Sequence, residues 1–337
     1  LGSRRVGRFI LRRLVSTTFL ILGVVLMTFA LARLLPGDPA RLIAGARADA
    51  DAVAAVRERL GLDDPIFTQF VTYVGNVFEG DFGRSVITRR PISEDILTFF
   101  PATLELVILA ALISLVLGTG LGVIAAVRAG RPSDVGVRTV AVTGLSVPDF
   151  WLALIFQLLF FATWGLLPFG GRLGTGVTPP DFVTGFMTLD SLMAGRIDLF
   201  IQSLRHMILP VIVLSVPSMA ITTRIVRTTM LETLSQDYVR TARAKGVSLF
   251  RLYARHALRN ALLPIVTIFG LNTGLLISGA VFIELIYDWP GLGRYTPNAI
   301  AAPDYNAIMA STLVVAIAYT LINFLVDLSY ALLDPRV

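Results

Sequence analysis

Few residues of this 337-residue chain could carry chemistry, and their spacing excludes most reactions. The single lysine, Lys245, stands between Ala244 and Gly246, so the Gly-Lys-Ser/Thr of a phosphate-cradling P-loop is absent. The two histidines, His206 and His256, form no H-E-x-x-H pair, and no cysteine supplies a thiol, a disulfide or a metal thiolate. No Ser/His/Asp arrangement stands out. Four acids remain in or at the ends of apolar runs: Glu105, Asp149, Glu284 and Asp327. An acid in lipid is costly and reads first as functional. Asp149 follows Pro148, which lacks a backbone donor and predicts a kink beside the carboxylate. With the polar residues Asn272 and Ser278 it is a candidate for lining a translocation path. The bland readings are an interfacial acid at a helix break and two side chains that bond a neighbouring helix. Glu284, at the outer end of its run, is a candidate contact for an external partner; Asp327 is expected hydrated at the cytoplasmic mouth.

The elements that must position these residues are set by composition. The chain is 55% hydrophobic and 15% charged, with a mean hydropathy of +0.75. A soluble domain carries roughly a quarter charged residues, so this chain cannot cover a water-facing surface. It is a membrane protein. A membrane helix needs about 20 mostly apolar residues, and six such runs occur: Leu14–Ala32, Leu106–Val127, one from near Val135 through Pro148-Asp149 to about Leu167, His206–Thr223, Asn260–Ile283 and Tyr305–Val326. The first is too long for a signal-peptide core and lacks a small-residue cleavage site. Gly118, Gly122, Gly270 and Gly274 form small-xxx-small spacings, which predict close helix packing. Trp151, Trp164 and Trp289 read as residues of the interfacial belts.

The net charge of +6 is the mark of topology and not of nucleic-acid binding, because cytoplasmic loops concentrate Arg and Lys. Arg4, Arg5, Arg8, Arg12 and Arg13 precede the first run, and Arg128, Arg131 and Arg138 flank the second-to-third loop. The loop 224–259 carries seven further arginines (Arg224, Arg227, Arg240, Arg243, Arg251, Arg255 and Arg259) together with Lys245. These segments, and both termini, are therefore expected in the cytoplasm. The segments 33–103 and 168–205 then face outward, the first with a short amphipathic helix from Asp51 to Leu62. No internal repeat is evident.

The basic loop is the most informative stretch. From Asp237 to Pro264 it groups Ala242, Ala244 and Gly246, follows them with Val247, Phe250, Leu252 and Tyr253, and runs directly into the fifth span. Gly246 suits a tight turn between two short helices, since glycine reaches positive φ without steric cost. Chemically this is a helix–turn–helix fit to dock in a partner's groove, or else a basic helix lying on anionic lipid.

RTARAKG (Arg240 to Gly246) followed by RHALRNALLP (Arg255 to Pro264) resembles the cytoplasmic signature of bacterial ABC importer permeases, most like the dipeptide, oligopeptide and nickel branch. LLPGDP (Leu34 to Pro39), LGLDDP (Leu60 to Pro65), GDFGRS (Gly80 to Ser85), WPGLG (Trp289 to Gly293) and Asp334-Pro335-Arg336 continue the series in order over nearly the whole chain. Arg240-Thr241-Ala242 stands where many such permeases have Glu-Ala-Ala, a substitution that looks normal for the peptide branch. The gap from glycine to proline is also longer than usual.

The resemblance implies an all-α, six-span type I ABC importer transmembrane domain, a single permease domain over residues 1–337 with both termini cytoplasmic. It implies that Arg240, Thr241, Ala242, Arg243, Ala244, Lys245, Gly246, Val247 and Phe250 form a coupling helix seated in a separate ATPase. The implied partners are a second homologous permease, two ATP-binding subunits or one fused ATPase, and an external solute-binding protein docking on 33–103 and 168–205. All would meet at the bacterial inner membrane. ATP and Mg would belong to the ATPases; this chain would hold no cofactor or metal and would be no enzyme. The implied cargo is a small polar solute, a di- or oligopeptide before nickel, opines, glycosides or short sugars. The rival is a secondary transporter driven by an ion gradient, which usually places acids or histidines inside inverted repeats; such residues are few here. A cysteine introduced at Ser248 is expected to react with an impermeant maleimide only from the cytoplasm, and labelling from outside would overturn the topology.

Overall fold

The computed structural model describes residues 2–34, 39–44, 48–59 and 61–333. Residues 35–38 of the LLPGDP motif, Leu60 of the next motif and the terminal Asp334-Pro335-Arg336 lie outside the described residues. Among the described residues the chain is helical, with one isolated antiparallel bridge between Arg84 and Pro91 and no strand.

The helices are α1 (Gly2–Leu34), α2 (Pro39–Ala44), α3 (Ala50–Arg59), α4 (Ile66–Glu79), α5 (Ile92–Val127), α6 (Pro132–Ser146), α7 (Asp149–Phe156), α8 (Met187–Met193), α9 (Ile197–Leu234), α10 (Asp237–Ala244), α11 (Leu249–Arg251), α12 (Arg259–Ile286), α13 (Leu292–Ala301) and α14 (Tyr305–Leu333). Two π-helical segments, Gln157–Thr163 and Leu252–Leu258, extend α7 and α11. Five single stretches are long and apolar enough to cross a membrane: Ile10–Ala30, Ile92–Val127, Ile197–Leu234, Pro264–Ile286 and Tyr305–Ser329. A sixth exists only as a bent pair, Pro132–Ser146 with Asp149–Thr163, meeting at 104°. Pro148 supplies the break: Val147 and Pro148 are both extended, with ψ near 124° and 137°. The kink expected at Pro148 is thus a full break between two helices.

Boundaries shift elsewhere. α5 begins at Ile92, about four turns before the expected run, because the helix continues through Pro101. α9 likewise carries Pro210 and Pro217 in its interior. Such prolines are tolerated where neighbouring helices and hydroxyls satisfy the freed backbone groups. Ser114 Oγ on α5 is shared between its own Ala110 carbonyl (2.6 Å) and the Ser215 carbonyl of α9 (3.2 Å), close to Pro217.

The glycine pairs act as packing sites. A Cβ on Gly122 would stand 2.6 Å from Val226 Cβ and 2.8 Å from the Thr223 carbonyl of α9; one on Gly118 would stand 2.8 Å from Thr222 Cβ. Gly270 and Gly274 bring α12 equally close to Val326 and Tyr319 of α14, and Gly144 brings α6 against Val216 of α9. Around these contacts a core forms from Leu106, Met207, Leu214, Ile283, Tyr287 and Trp289. Trp289 is fully buried, so its assignment to an interfacial belt is corrected; Trp151 and Trp164 are exposed.

The short loop between α5 and α6 is clamped by Asp134. Its buried carboxylate accepts from Arg227 Nε (2.7 Å) and NH2 (2.9 Å) and from the Gly130 amide (3.0 Å). Asp327 is also paired, with Arg13 at 2.9 Å, so it ties α14 to α1 and is not a free hydrated acid. Gly122→Val is expected to destabilise the protein by about 1–3 kcal/mol through overpacking. Gly120→Ala, at a site with nothing within 4 Å, should be tolerated. Thermal unfolding of the two variants in detergent checks this, and equal midpoints would refute the packing role.

Candidate functional site

The basic hairpin joins the C-terminal end of α9 to the N-terminal end of α12. α10 ends in a Schellman motif: the Val247 amide donates to the Ala242 carbonyl (3.2 Å) and the Gly246 amide to the Arg243 carbonyl (3.0 Å). Gly246 has φ +73°, a left-handed conformation that favours glycine, and nothing lies within 4 Å of a Cβ placed there. The glycine is thus required by the backbone, and the space beside it is open.

The hairpin has a closed and an open face. Val239, Ala242 and Leu252 are buried together, with Leu234, Val247 and Tyr253 against them. Tyr238 Oη accepts from Asn260 Nδ2 (2.7 Å), fastening α10 to the start of α12. On the open face Arg240, Thr241, Arg243, Ala244, Lys245 and Gly246 are exposed, as are Leu249 and Phe250, the latter at 81%. Ala242 is buried and Val247 partly buried, and both pack toward the inner face of the hairpin. The π-helical turn Leu252–Leu258 that joins the hairpin to α12 has no signal in hydropathy. A widened turn of this kind often sits at functional positions.

The path candidates divide. Asp149 sits half-buried at the α6–α7 break, its Oδ2 3.4 Å from where a Gly279 Cβ would be. Ser278, next in chain, is exposed on an open stripe of α12 formed with Leu271, Leu275, Phe282 and Leu285. Asp149 thus faces Gly279, while Ser278 points onto the open stripe. Asn272 is buried, seven residues from Gly279 and so on the same helix face, which packs on α9 at Leu214. It lies inside the helix interface and not on the open stripe.

At the outer ends, buried acids hold the irregular backbone. Glu284 is fully buried: Thr103 Oγ1 donates to it (2.6 Å), as does the Arg294 amide (3.2 Å), while Thr103 Oγ1 accepts from the Leu292 amide (2.8 Å). A Cβ on Gly293 would stand 2.6 Å from Val281 Cα, and one on Gly291 would overlap the Glu284 carboxylate. The WPGLG segment is thus pressed onto Glu284, whose expected contact with an external partner is corrected to an internal anchor. Glu105 accepts from Arg172 (2.5 Å), the Thr188 amide (2.9 Å) and Thr188 Oγ1 (2.6 Å), securing the 168–205 loop. Asp304 accepts from Ser85 Oγ (2.6 Å) and the Val86 amide (2.7 Å), and Asp95 from Thr88 Oγ1 (2.5 Å) and Tyr295 Oη (3.1 Å). Asp190 lies outside the spans; burial pushes its carboxyl up, and donors from Thr184, Gly185 and Val183 more than offset this and leave it below the usual range. That stability is present above the unfolded carboxylate's titration and is lost as pH falls through the folded one.

Sequence reasoning missed this network, Glu105 and Asp304 above all. The signal was present in GDFGRS and WPGLG, whose Ser85, Gly291 and Gly293 are the contacts that need a hydroxyl or no side chain.

Arginine-rich hairpin, apolar bundle and loop-clamping acids together define an α-helical membrane component of a transport system. The family model described as binding-protein-dependent transport system inner membrane component matches residues 118–337, and that of its N-terminal part matches residues 6–107. The chain belongs to this family, as a multi-pass protein of the bacterial inner membrane. It is 45% identical to the probable D,D-dipeptide transport system permease protein DdpB of Escherichia coli K12, over 94% of this chain and 93% of that protein. It is also 45% identical to the di/tripeptide transport system permease protein DppB of Pseudomonas aeruginosa UCBPP-PA14, over 98% of each. The fold is like that of a chain in the inward-facing MetNI methionine ABC transporter, with a TM-score of 0.51, 16% identity and coverage of 69% of this chain and 93% of that one. Thr103→Val, which keeps the side chain's shape, is expected to cost about 1–3 kcal/mol by leaving Glu284 and the Leu292 amide without their partner. Thermal unfolding matching the parent would exclude that role.

Proposed function

We propose that this chain is the permease subunit of an ATP-driven importer of di- or oligopeptides, without an ATPase site of its own. The relatives named for dipeptide and di/tripeptide transport, similar over nearly their full length, support the cargo class. The chain carries no Gly-Lys-Ser/Thr, which supports hydrolysis, with its ATP and Mg, by partner subunits. A solute-binding protein delivers the cargo, and a second permease faces the open stripe of α12 that carries Ser278, one residue before the Gly279 that Asp149 approaches. Ser278 and Asp149 line the path.

The observation that carries the coupling role is the open face of the hairpin. Its apex is basic and offers a large exposed aromatic, Phe250, next to an unobstructed Gly246. An ATPase cleft that grips Arg240, Thr241, Arg243, Ala244, Lys245 and Phe250 would move α9 and α12 together, because α10 packs on Leu234 of α9 through the Val239–Ala242–Leu252 cluster and is tied to α12 by the Tyr238–Asn260 hydrogen bond. A lipid-lying basic helix would not need the packed inner face.

Phe250→Asp and Gly246→Val leave the spans unaltered and are expected to insert normally. In vesicles containing the whole transporter, ATP-dependent dipeptide uptake should fall roughly tenfold or more, the scale of a coupling free energy of a few kcal/mol. Uptake at the parent rate in both variants would refute a coupling hairpin. Uptake driven by an ion gradient without the ATPases would establish secondary transport instead.

A further inference from the structure

The external helix α4 has three faces, and the chain itself covers one of them. Phe70 and Tyr73 pack on the outer end of α1: Phe29 lies 5.3 Å from Phe70 and 5.7 Å from Tyr73 by ring centroids, and Tyr73 Oη is 3.3 Å from Thr28 Oγ1. A second face is polar, with Thr68, Thr72, Asn76 and Glu79 recurring at helical spacing, all exposed. The third is apolar and open: Phe67, Val71 and Phe78, at i, i+4 and i+11, are 74%, 53% and 83% exposed. No residue of α4 is fully buried.

The open stripe adjoins surface that lipid must cover. The span Ile10–Ala30 of α1 exposes Leu22, Leu26 and Met27 immediately before the residues that hold α4. A helix fixed at the end of a membrane span, with one polar and one open apolar flank, has the pattern of an in-plane interfacial helix. We propose that α4 lies in the membrane plane, with Phe67, Val71 and Phe78 sunk into the headgroup–acyl boundary of the leaflet opposite the arginine-rich termini. The occupant of this stripe is phospholipid. A binding protein that docks and departs would leave three large apolar side chains in water whenever it was away, and soluble surfaces rarely carry such patches without a purpose. The inference goes beyond the coupling and cargo readings and narrows the external docking surface to other parts of 33–103 and to 168–205.

Because the chain has no cysteine, single cysteines can be placed cleanly. Phe67→Cys, Val71→Cys and Phe78→Cys, with Thr72→Cys and Asn76→Cys on the polar face, would carry a nitroxide in the assembled transporter. The host is a vesicle of phosphatidylethanolamine and phosphatidylglycerol. Collision with oxygen should exceed collision with a water-soluble nickel chelate severalfold at positions 67, 71 and 78, and the order should reverse at 72 and 76. Nickel-dominated collisions at 67, 71 and 78 would overturn the proposal by placing the stripe in water. Loss of both collision rates there, with an immobilised label, would overturn it by placing the second permease or the binding protein on the stripe.

Discussion

The approach of α5 to α9 at Gly118 and Gly122 is the constraint on which the other helix positions depend. In lipid, apolar side chains gain little by meeting one another, so association relies on close packing and on polar contacts across it. Glycines at i and i+4 let Thr222, Val226 and the carbonyls of Met219 and Thr223 approach the α5 backbone. α9 then serves as the wall against which α6 packs through Gly144 and Arg227, and α12 through Leu214. α14 joins by the same device, glycines of α12 against Tyr319 and Val326.

The two ends of this bundle are built differently. Outside, irregular backbone cannot satisfy itself as a helix does, and a buried amide without a partner is costly. Glu105, Glu284, Asp304, Asp95 and Asp190 solve this by accepting from loop amides and hydroxyls, so each acid acts as the fixed point of a loop. At the other end, Asp134 clamps the short connection, while the hairpin α10–α11 is held by a small apolar cluster and the Tyr238–Asn260 hydrogen bond and leaves its charged face open.

The spans and the hairpin were legible because each is written in local composition: long apolar runs and a glycine among small residues. Helix ends were less so. α5 extends outward through Pro101, which a local reading takes as a stop, because neighbouring helices satisfy the backbone it disturbs. Trp289 looked like a belt residue by type, yet its indole donates to the Ala102 carbonyl at 3.0 Å in the core. Glu284 looked external by position, yet the chain folds back over it.

What the sequence determined alone is therefore which segments are apolar enough to enter the membrane, since transfer from water to lipid is a sum over neighbouring residues. It also determined the turn at Gly246, because the left-handed backbone there is a property of one residue type. The tertiary structure decided which polar groups are partnered. Thr103 and Glu284 lie 181 positions apart, and Ser85 and Asp304 lie 219 apart. Whether a carboxylate is an anchor, a clamp or an open group depends on donors that only folding brings within reach, and no local pattern records that distance.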